Sequence, residues 1–394
     1  MKRSTRIRSV TAGGPDGWGV YRRARRMAEA GEPVIELTIG EHDERTDPSI
    51  LAAMNASALG GHTGYAAGEG TPELRRTIAE RITARTGVAT SAHEVLVTAG
   101  GQAALFAALH AVTDPGETVA YIDPYYVTYP GTIRGASAVP RVIPTRAEDG
   151  FMPSAEALSE GLTGARALIV NSPNNPTGAV YPRRTLEQIG AAATSADAWI
   201  LSDEVYDTQV WEGAHISPRA LPGLAERTLM IGSLSKSHAM TGSRVGWVCG
   251  PAETIADIAN LATHTTYGIP GFIQDAALFA LRAGPELERR ISAPFERRRH
   301  IVAKQLAEQT LVRTLPMAGA MYVMLDIRAT GLSGLEFAEA LLDAERIAVM
   351  PGESFGDCAA GHVRVALTVS DDRLDEAMAR LTRFAAGLAS AAAE

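Results

Sequence analysis

The sequence predicts an α/β protein whose mainly parallel sheet is covered by helices on both faces. From about residue 95, short apolar runs alternate with helix-like segments, which is typical of parallel strands joined by crossover helices. Parallel strands are buried on both faces, and this fits the near-continuous apolar character of the runs. A length of 394 residues exceeds one ordinary core and favours two domains, or one large domain with a satellite.

The strands of this sheet are predicted from six apolar runs. They are VLVTA (95–99), TVAYI (118–122), ALIVN (167–171), WILSD (199–203), TLMIG (228–232) and VGWVCG (245–250). Helix-like segments such as QAALFAALHAV (102–112) and RTLEQIGAAATSA (184–196) lie between several of them.

The pattern changes after about residue 285. A long charged helix is followed by a strand at 321–327, a helix at 334–345, a strand at 363–369 and an alanine-rich helix from about 371 to 390. This order predicts a smaller α+β domain. We therefore expect an N-terminal arm that also joins the small domain (1–45), a large domain (46–284) and a small C-terminal domain (285–394).

Composition narrows the class of protein. Hydrophobic residues make up 46% of the chain and charged residues 21%, as in soluble globular proteins. The net charge of −8 argues against a nucleic-acid partner. No apolar run is long enough for a membrane span, and the basic N-terminus lacks the apolar region of a signal peptide. The two cysteines, Cys249 and Cys358, provide neither a disulfide framework nor a metal cluster, so we expect a cytoplasmic protein.

Several polar residues follow the predicted strands, where ligands bind in open α/β sheets. Gly100, Gly101 and Gln102 follow the first strand and open a helix. Free N–H groups at a helix start bind anions, although a tight turn explains the glycines equally well. Tyr126 follows the next strand and could stack on a ligand ring, but this stretch alone favours packing in the core.

Two further strand ends carry polar side chains. The turn SPNNPTG contains Asn175, and its composition is that of a structural turn, yet the amide could also reach a ligand. Asp203 ends an apolar strand, and a buried acid is costly unless it meets a cation. Tyr206, three residues later, could contact the same ligand.

The segment SLSKSHAMTGSRVGW (233–247) places Lys236 among small hydroxyl residues, with Arg244 eight positions later. One ligand accounts for all these features: pyridoxal 5′-phosphate, an aromatic aldehyde with a phosphate and a pyridinium nitrogen. Lys236 would be its Schiff-base lysine. The phosphate would be held by Ser233, Ser235, Arg244 and the amides of Gly101 and Gln102. Asp203 would pair with the ring nitrogen, Tyr206 and Asn175 with the ring hydroxyl, and Tyr126 would stack on the ring.

Six motifs in a fixed order resemble the class I/II aminotransferases of the aspartate aminotransferase fold. They are IELTIGE (35–41), GYAAGEGTPELR (64–75), NNPTG (174–178), DEVY (203–206), SKSHAMTGSRVG (235–246) and the strand carrying Arg364. The resemblance covers nearly the whole chain. It implies fold type I, in which a large domain with a mainly parallel seven-stranded sheet between helices is joined to a smaller α+β domain.

The resemblance also implies roles that composition cannot show. Arg364 matches the arginine that grips the substrate α-carboxylate, and Gly40 matches a glycine near the same group. Tyr65 resembles a tyrosine lent across a dimer interface to the neighbour's phosphate, which implies a homodimer with shared active sites. Phe355 resembles an aromatic residue that lines the pocket. Gly100 belongs to the glycine turn of the cofactor site.

The function implied is transfer of an amino group between an L-amino acid and a 2-oxo acid, with 2-oxoglutarate as one candidate acceptor. Lys236 would act as general base, and Asp203 and Tyr206 would complete the catalytic set. Two alternatives use the same fold: a β-lyase, and a non-catalytic sensor behind a DNA-binding domain. The sensor is disfavoured because the motifs begin within the first 35 or so residues.

The substrate side-chain pocket is the least determined part. Trp18 and Tyr267 suggest an apolar or aromatic substrate, although such aromatics are more often core residues. His42 could contact a polar substrate or cap a loop. The chain also departs from the family at two places: His42 to Pro48 replace the usual Pro-Asp-Phe run, and Ser243 replaces a tryptophan. No histidine has metal-ligand spacing, and we predict no metal.

Overall fold

The computed structural model describes residues 1–12 and 17–391. Thirteen strands are assigned in this part of the chain. They are β1 (Ile35–Glu36), β2 (Val95–Thr98), β3 (Thr118–Ile122), β4 (Val139–Ile143), β5 (Ala165–Asn171), β6 (Trp199–Asp203), β7 (Thr228–Ser233), β8 (Gly246–Cys249), β9 (Arg313–Thr314), β10 (Tyr322–Asp326), β11 (Ile347–Ala348), β12 (Met350–Pro351) and β13 (His362–Ala366).

Fourteen α-helices are assigned in the same ranges. They are α1 (Thr5–Arg8), α2 (Gly19–Glu29), α3 (Pro48–Leu59), α4 (Pro72–Thr86), α5 (Gly101–Val112), α6 (Tyr129–Gly135), α7 (Ala155–Leu162), α8 (Arg183–Ser195), α9 (Leu234–Ser237), α10 (Ala252–Thr263), α11 (Gly271–Arg282), α12 (Pro285–Leu306), α13 (Gly334–Glu345) and α14 (Asp371–Ala391).

The central sheet has seven strands in the order β2-β8-β7-β6-β5-β3-β4. Strands β3 to β7 pair in parallel, whereas β8 pairs antiparallel with both β7 and β2. The prediction of a mainly parallel α/β sheet is confirmed. All six predicted strands are present, and β4 was missed because Pro140 and two half-exposed valines interrupt the apolar pattern at this sheet edge.

Alternate residues of one strand enter different cores, so both faces of the sheet are buried. In β2, Val97 packs with helices α3, α4 and α11, while Leu96 packs with α5 and α10. In β5, Leu168 joins a third cluster that includes residues of α7 and α8. The alternation follows from the two-residue period of a strand.

The C-terminal part contains an antiparallel sheet in the order β12-β13-β10-β9. Its core includes Phe337, Leu341 and Leu374, and residues of α2 near the N-terminus join the same cluster. Strand β1 pairs in parallel with β11, which also links the N-terminal segment to this part. The division of the chain after residues 45 and 284 remains a prediction that is consistent with these contacts. Within the described residues, no helix is both long and apolar enough to cross a membrane.

Candidate active site

A cavity of about 300 Å³ opens where β5, β6 and β7 end. Most of the residues predicted from the sequence line it. They are Trp18, Gly40, Gly101, Gln102, Tyr126, Asn175, Asp203, Tyr206, Ser233, Ser235, Lys236, Arg244 and Arg364. The sheet order therefore brings together side chains that lie up to 346 positions apart, from Trp18 to Arg364.

Lys236 lies on the one-turn helix α9, directly after β7. The turn is fixed by Ser233, whose hydroxyl accepts a hydrogen bond from the Ser235 amide at 3.1 Å. The Lys236 ammonium donates to the backbone carbonyl of Gly40. Among the described residues, no carboxylate lies within ion-pair distance of this amine, so its hydrogen-bonding capacity is directed into the cavity.

Asp203 is buried at the end of β6. The Tyr129 hydroxyl donates to its carboxylate at 2.6 Å. Burial raises the pKa of Asp203 to about 6, and the Tyr129 hydrogen bond and the charge of Lys236 oppose that rise only in part. A buried carboxyl in this state gains stability from a cation placed next to it.

Arg244 lies against the start of α5. A Cβ atom at Gly100 would come within 2.4 Å of the Arg244 guanidinium and would displace it, and the φ of 83° at Gly100 favours glycine for its backbone conformation. Arg244 donates to the carbonyls of Thr241 (2.9 Å) and Ala99 (3.3 Å) and to no carboxylate of the described chain. A guanidinium beside the N-terminus of a helix is a strong anion site.

Arg364 is buried on β13, where burial lowers its pKa. One terminal nitrogen donates to the Asn175 side-chain carbonyl at 2.8 Å, and the other donates to the backbone carbonyl of Thr38. Its Nε has no hydrogen-bond partner among the described residues. The guanidinium also lies over the rings of Tyr322 (4.3 Å) and Phe355 (4.5 Å). A buried guanidinium without an ion pair is suited to a carboxylate ligand.

These charges define the kind of molecule that the cavity can hold. Lys236, Arg244 and Arg364 are three cations without an ion-pair partner among the described residues, and Asp203 is a buried acid without an ion pair in the same part of the chain. The arrangement fits ligands with two anionic groups, a carbonyl that an amine can attack and a ring nitrogen that can carry a proton.

The family model for aminotransferases of class I and II matches residues 32–381. This chain belongs to the class I and II aminotransferases. An arginine–pyruvate transaminase from Pseudomonas aeruginosa is 44% identical, and the alignment covers 98% of this chain and 99% of that protein. An aspartate/prephenate aminotransferase from Thermus thermophilus is 37% identical, with 92% of this chain and 94% of the relative covered.

Solved structures show the same aminotransferase fold. The aspartate aminotransferase from Thermus thermophilus with maleate superimposes with a TM-score of 0.90 at 34% identity, covering 97% of this chain and 100% of that chain. An aromatic aminotransferase from Pyrococcus horikoshii gives a TM-score of 0.87 at 34% identity, covering 92% of this chain and 99% of the other. The predicted family, fold class and enzyme class are confirmed.

Aminotransferases of this family depend on pyridoxal 5′-phosphate, and the cavity fits that group. The anion-binding end of the cavity is formed by the α5 N-terminus and Arg244. The buried acid of the cavity is Asp203, and its amine is Lys236. Gly100 and Gly101 support the fit because they leave space at this end of the cavity. A Cβ atom would lie 2.4 Å from Arg244 at Gly100 and 3.0 Å from Val205 at Gly101.

Four predicted residues lie outside the lining of the cavity. Gly100 is directly behind it, against Arg244, and Phe355 is fully buried against the Arg364 guanidinium. Tyr65 and Tyr267 pack edge to face at 5.1 Å on the surface, where 91% of Tyr65 and 59% of Tyr267 remain exposed. Their assignment to an active site therefore depends on a second copy of the chain.

His42 also lies outside the cavity lining. Its ring packs edge to face against Phe295 at 5.1 Å. Burial, followed by the nearby charge of Lys236, lowers the pKa of His42 to about 4. The ring is therefore neutral at physiological pH, and neither of its nitrogens has a hydrogen-bond partner within the described ranges.

Sequence reasoning missed several lining residues, of which Tyr322 is the most informative. It begins β10, and its hydroxyl lies 3.0 Å from that of Tyr206. Glu41 and Thr241 also line the cavity, and both lie inside quoted family motifs, so their positions in those motifs were the available signal. Tyr129 is buried in the core beside the cavity, and its hydroxyl donates to Asp203.

Proposed function

We propose that this aminotransferase holds pyridoxal 5′-phosphate in the cavity and uses it to move the amino group of an L-amino acid to a 2-oxo acid. The observation that carries the proposal is the set of three cations, Lys236, Arg244 and Arg364, which line one cavity without an ion-pair partner in the described chain. Two of them match anionic groups, one on the cofactor and one on the substrate, and the third is the amine.

The residues that would hold the cofactor include residues at the ends of five strands, β2, β3, β5, β6 and β7. Lys236 would be its covalent anchor and Asp203 the partner of its ring nitrogen. The phosphate would lie against Gly100, Gly101, Gln102, Ser233, Ser235 and Arg244, and the ring would contact Tyr126, Asn175 and Tyr206. When bound, this group supplies a carbonyl that accepts the amino group and a ring that takes up the electron pair left by the α-proton.

In the proposed reaction, the side chains of the protein would transfer protons or hold them at defined atoms. The amine of Lys236, held at the Gly40 carbonyl, would take the α-proton and return it at a neighbouring carbon. An ionised Asp203 would keep the ring nitrogen protonated. Tyr206, buried and hydrogen-bonded to Tyr322 at 3.0 Å, would donate its hydroxyl proton to the ring oxygen.

Arg364 would orient the substrate. Its guanidinium is fixed by Asn175 and Thr38 and lies over two aromatic rings, so little side-chain freedom is lost when a carboxylate binds. The substrate carboxylate would accept a hydrogen bond from the Arg364 Nε, which has no partner among the described residues. This contact would hold the α-carbon near Lys236.

We also propose a cytoplasmic homodimer with shared active sites. The exposed pair Tyr65 and Tyr267 is an apolar surface that a second copy would cover. Leu59, with 80% of its surface exposed, lies on α3, the helix that precedes Tyr65 in the chain. Tyr65 would then reach the phosphate bound by the neighbour. The variant Tyr65→Ala should lose cofactor affinity or dimer stability relative to the wild type. Sedimentation of both proteins measures the change in dimer stability.

The donor amino acid is the open part of the proposal. One relative is named for a cationic amino acid, arginine, and the other for an anionic amino acid, aspartate, and for prephenate, which is a 2-oxo acid. The relative with the cationic donor shares 44% of its residues with this chain, against 37% for the other. Pyruvate and 2-oxoglutarate are the acceptors to be compared.

The experiment is an amino-group transfer assay of the cofactor-loaded enzyme with a panel of L-amino acids and each acceptor. We expect a 2-oxo acid from the donor and an amino acid from the acceptor in equal amounts. Lys236→Ala should abolish turnover while leaving the fold intact by circular dichroism. Release of ammonia and pyruvate without any acceptor would instead indicate a β-lyase. Absence of cofactor binding and of turnover would refute the proposal.

A further inference from the structure

The charges around the cavity leave one carboxylate without a role in the proposed reaction. Lys236, Arg244 and Arg364 would take the carbonyl, the phosphate and the substrate α-carboxylate, and Asp203 would take the ring nitrogen. The remaining charged lining residue is Glu41. It is exposed, so it carries its charge without the desolvation cost that Asp203 bears.

Glu41 is held close to the reacting groups. It follows Gly40, whose carbonyl accepts the hydrogen bond of the Lys236 ammonium. The Thr241 hydroxyl donates to the Glu41 carboxylate at 3.0 Å, and this bond ties the loop after β1 to the loop after α9. No lysine or arginine of the described chain lies within ion-pair distance of Glu41, so three of the four lone-pair sites of a carboxylate are available to a ligand.

The cavity that Glu41 lines also contains apolar and aromatic surface. Trp18, Ile39 and Val205 line the same cavity. Aliphatic carbons of a substrate would pack on this surface, and an indole face attracts an ammonium or a guanidinium. A side chain with an apolar stem and a positive end would match both features.

An anionic side chain would find the opposite environment. Each cation among the described lining residues is already engaged by the α-carboxylate, the phosphate or the carbonyl under the proposed function, and the additional carboxylate of the substrate would face Glu41. Like charges at close range disfavour binding, and this is a recognised source of specificity.

We propose that the donor of this aminotransferase is an amino acid with a positively charged side chain, and that Glu41 binds that charge. The inference rests on the proposed function, because it assumes that Arg364 holds the α-carboxylate. It names the donor class and a residue that selects it. Guanidinium and ammonium donors share the chemistry, and the comparison of L-arginine with L-lysine separates them.

The test compares L-arginine with L-citrulline, a neutral side chain of the same length, and with L-aspartate, using pyruvate as acceptor. Because Glu41 is solvent-exposed, we expect a moderate preference: wild type should favour arginine over citrulline by about tenfold in kcat/KM. Glu41→Gln should bring that ratio near one. Glu44→Gln, a neutralised carboxylate on the same loop outside this cavity, is the matched control and should keep the ratio of the wild type.

Charge reversal gives a second variant. Glu41→Lys should raise the ratio of aspartate to arginine turnover above that of the wild type. A rise in salt concentration should reduce the arginine preference of the wild type, because screening weakens exposed charge pairs. An arginine-to-citrulline ratio that is the same in wild type and Glu41→Gln would overturn the inference, as would a wild-type preference for aspartate.

A binding measurement separates this inference from the proposed function. Calorimetry with α-methyl-L-arginine, which has no α-proton to lose, should show binding by the wild type and a loss of about tenfold in Glu41→Gln. If amino acids are transferred but neither ratio nor affinity depends on Glu41, only the present inference fails. If no amino acid is transferred, the proposed function fails, and the calorimetry still decides whether Glu41 binds a cation.

Discussion

The hydroxyls of Tyr206 and Tyr322 lie 3.0 Å apart, although the two residues belong to segments of different sheets. Tyr206 comes three positions after β6 of the central sheet, and Tyr322 begins β10 of the C-terminal sheet. Tyr322 also packs against the Arg364 guanidinium, with 4.3 Å between the guanidinium carbon and the ring centre. One side chain thus touches both the proposed cofactor contact and the proposed substrate contact.

Removal of the Tyr322 hydroxyl tests that link. Tyr322→Phe keeps the ring over Arg364 but leaves the Tyr206 hydroxyl without this partner. A neutral hydrogen bond contributes about 1 kcal/mol, so we expect kcat to fall about fivefold with little change in KM. Tyr121→Phe, a buried tyrosine of β3 outside the cavity, is the control. Steady-state kinetics in which both variants behave alike would contradict a positioning role.

The Tyr322 hydroxyl lies against Gly40. A Cβ atom at Gly40 would lie 1.7 Å from that hydroxyl, so Gly40→Ala must displace the tyrosine. Overpacking of this kind costs about 1–3 kcal/mol, and we expect kcat/KM to fall at least about tenfold. Gly19→Ala is the matched control, because nothing lies within 4 Å of its Cβ position. Activity retained by Gly40→Ala would show that the contact has no catalytic importance.

Local sequence predicted the parts of the site that follow single strands. Asp203 ends an apolar run, and Lys236 lies in the short segment that follows the next run. The order of such runs is visible in the sequence. The strands β3, β5, β6 and β7, which pair in parallel, were recognised for the same reason. Their polar neighbours meet because the carboxyl ends of parallel strands share one sheet edge.

Contacts between the two sheets could not be predicted in this way. Tyr322 lies in an apolar run that reads as core, and its hydroxyl partner is 116 positions away. Periodicity shows which face of a strand is buried, but not which loop of another sheet lies against it. Edge strand β4 was missed for a local reason, since Pro140 and exposed valines obscure its pattern.

Arg364 provides a prediction that separates binding from stability. Arg364→Gln removes a guanidinium that has no ion pair among the described residues, so the KM for the amino acid should rise about thirtyfold or more, while cofactor affinity is retained. Arg219, also buried, pairs with Glu94 at 2.6 Å. Arg219→Gln should lower the free energy of unfolding by about 2 kcal/mol without raising KM. Urea unfolding and steady-state kinetics of both variants measure the two effects, and an unchanged KM in Arg364→Gln would exclude its proposed contact.

Asp203 gives a pH dependence whose sign can be worked out. Its pKa rises from an ordinary value of 3.8 to about 6 in the cofactor-free protein, chiefly through burial. The folded protein therefore holds this proton more tightly than the unfolded chain, and the resulting stability is present below about pH 4 and lost as the pH rises through 6. The loss amounts to about 3 kcal/mol at most, because each pKa unit corresponds to about 1.4 kcal/mol.

Asp203→Asn cannot ionise and should not show this loss. We expect the thermal midpoint of the cofactor-free wild type to fall relative to that of Asp203→Asn between pH 4 and pH 7. After loading with pyridoxal phosphate, the order of the two midpoints at pH 7 should reverse, so that the wild type unfolds at a higher temperature than Asp203→Asn. The reason is that a protonated ring nitrogen stabilises the ionised carboxylate but not the amide. The difference between the two proteins isolates Asp203 from other groups that titrate in this range. Parallel midpoint curves for the two cofactor-free proteins would contradict the raised pKa, and an unreversed order after loading would show that Asp203 does not meet a cation in the complex.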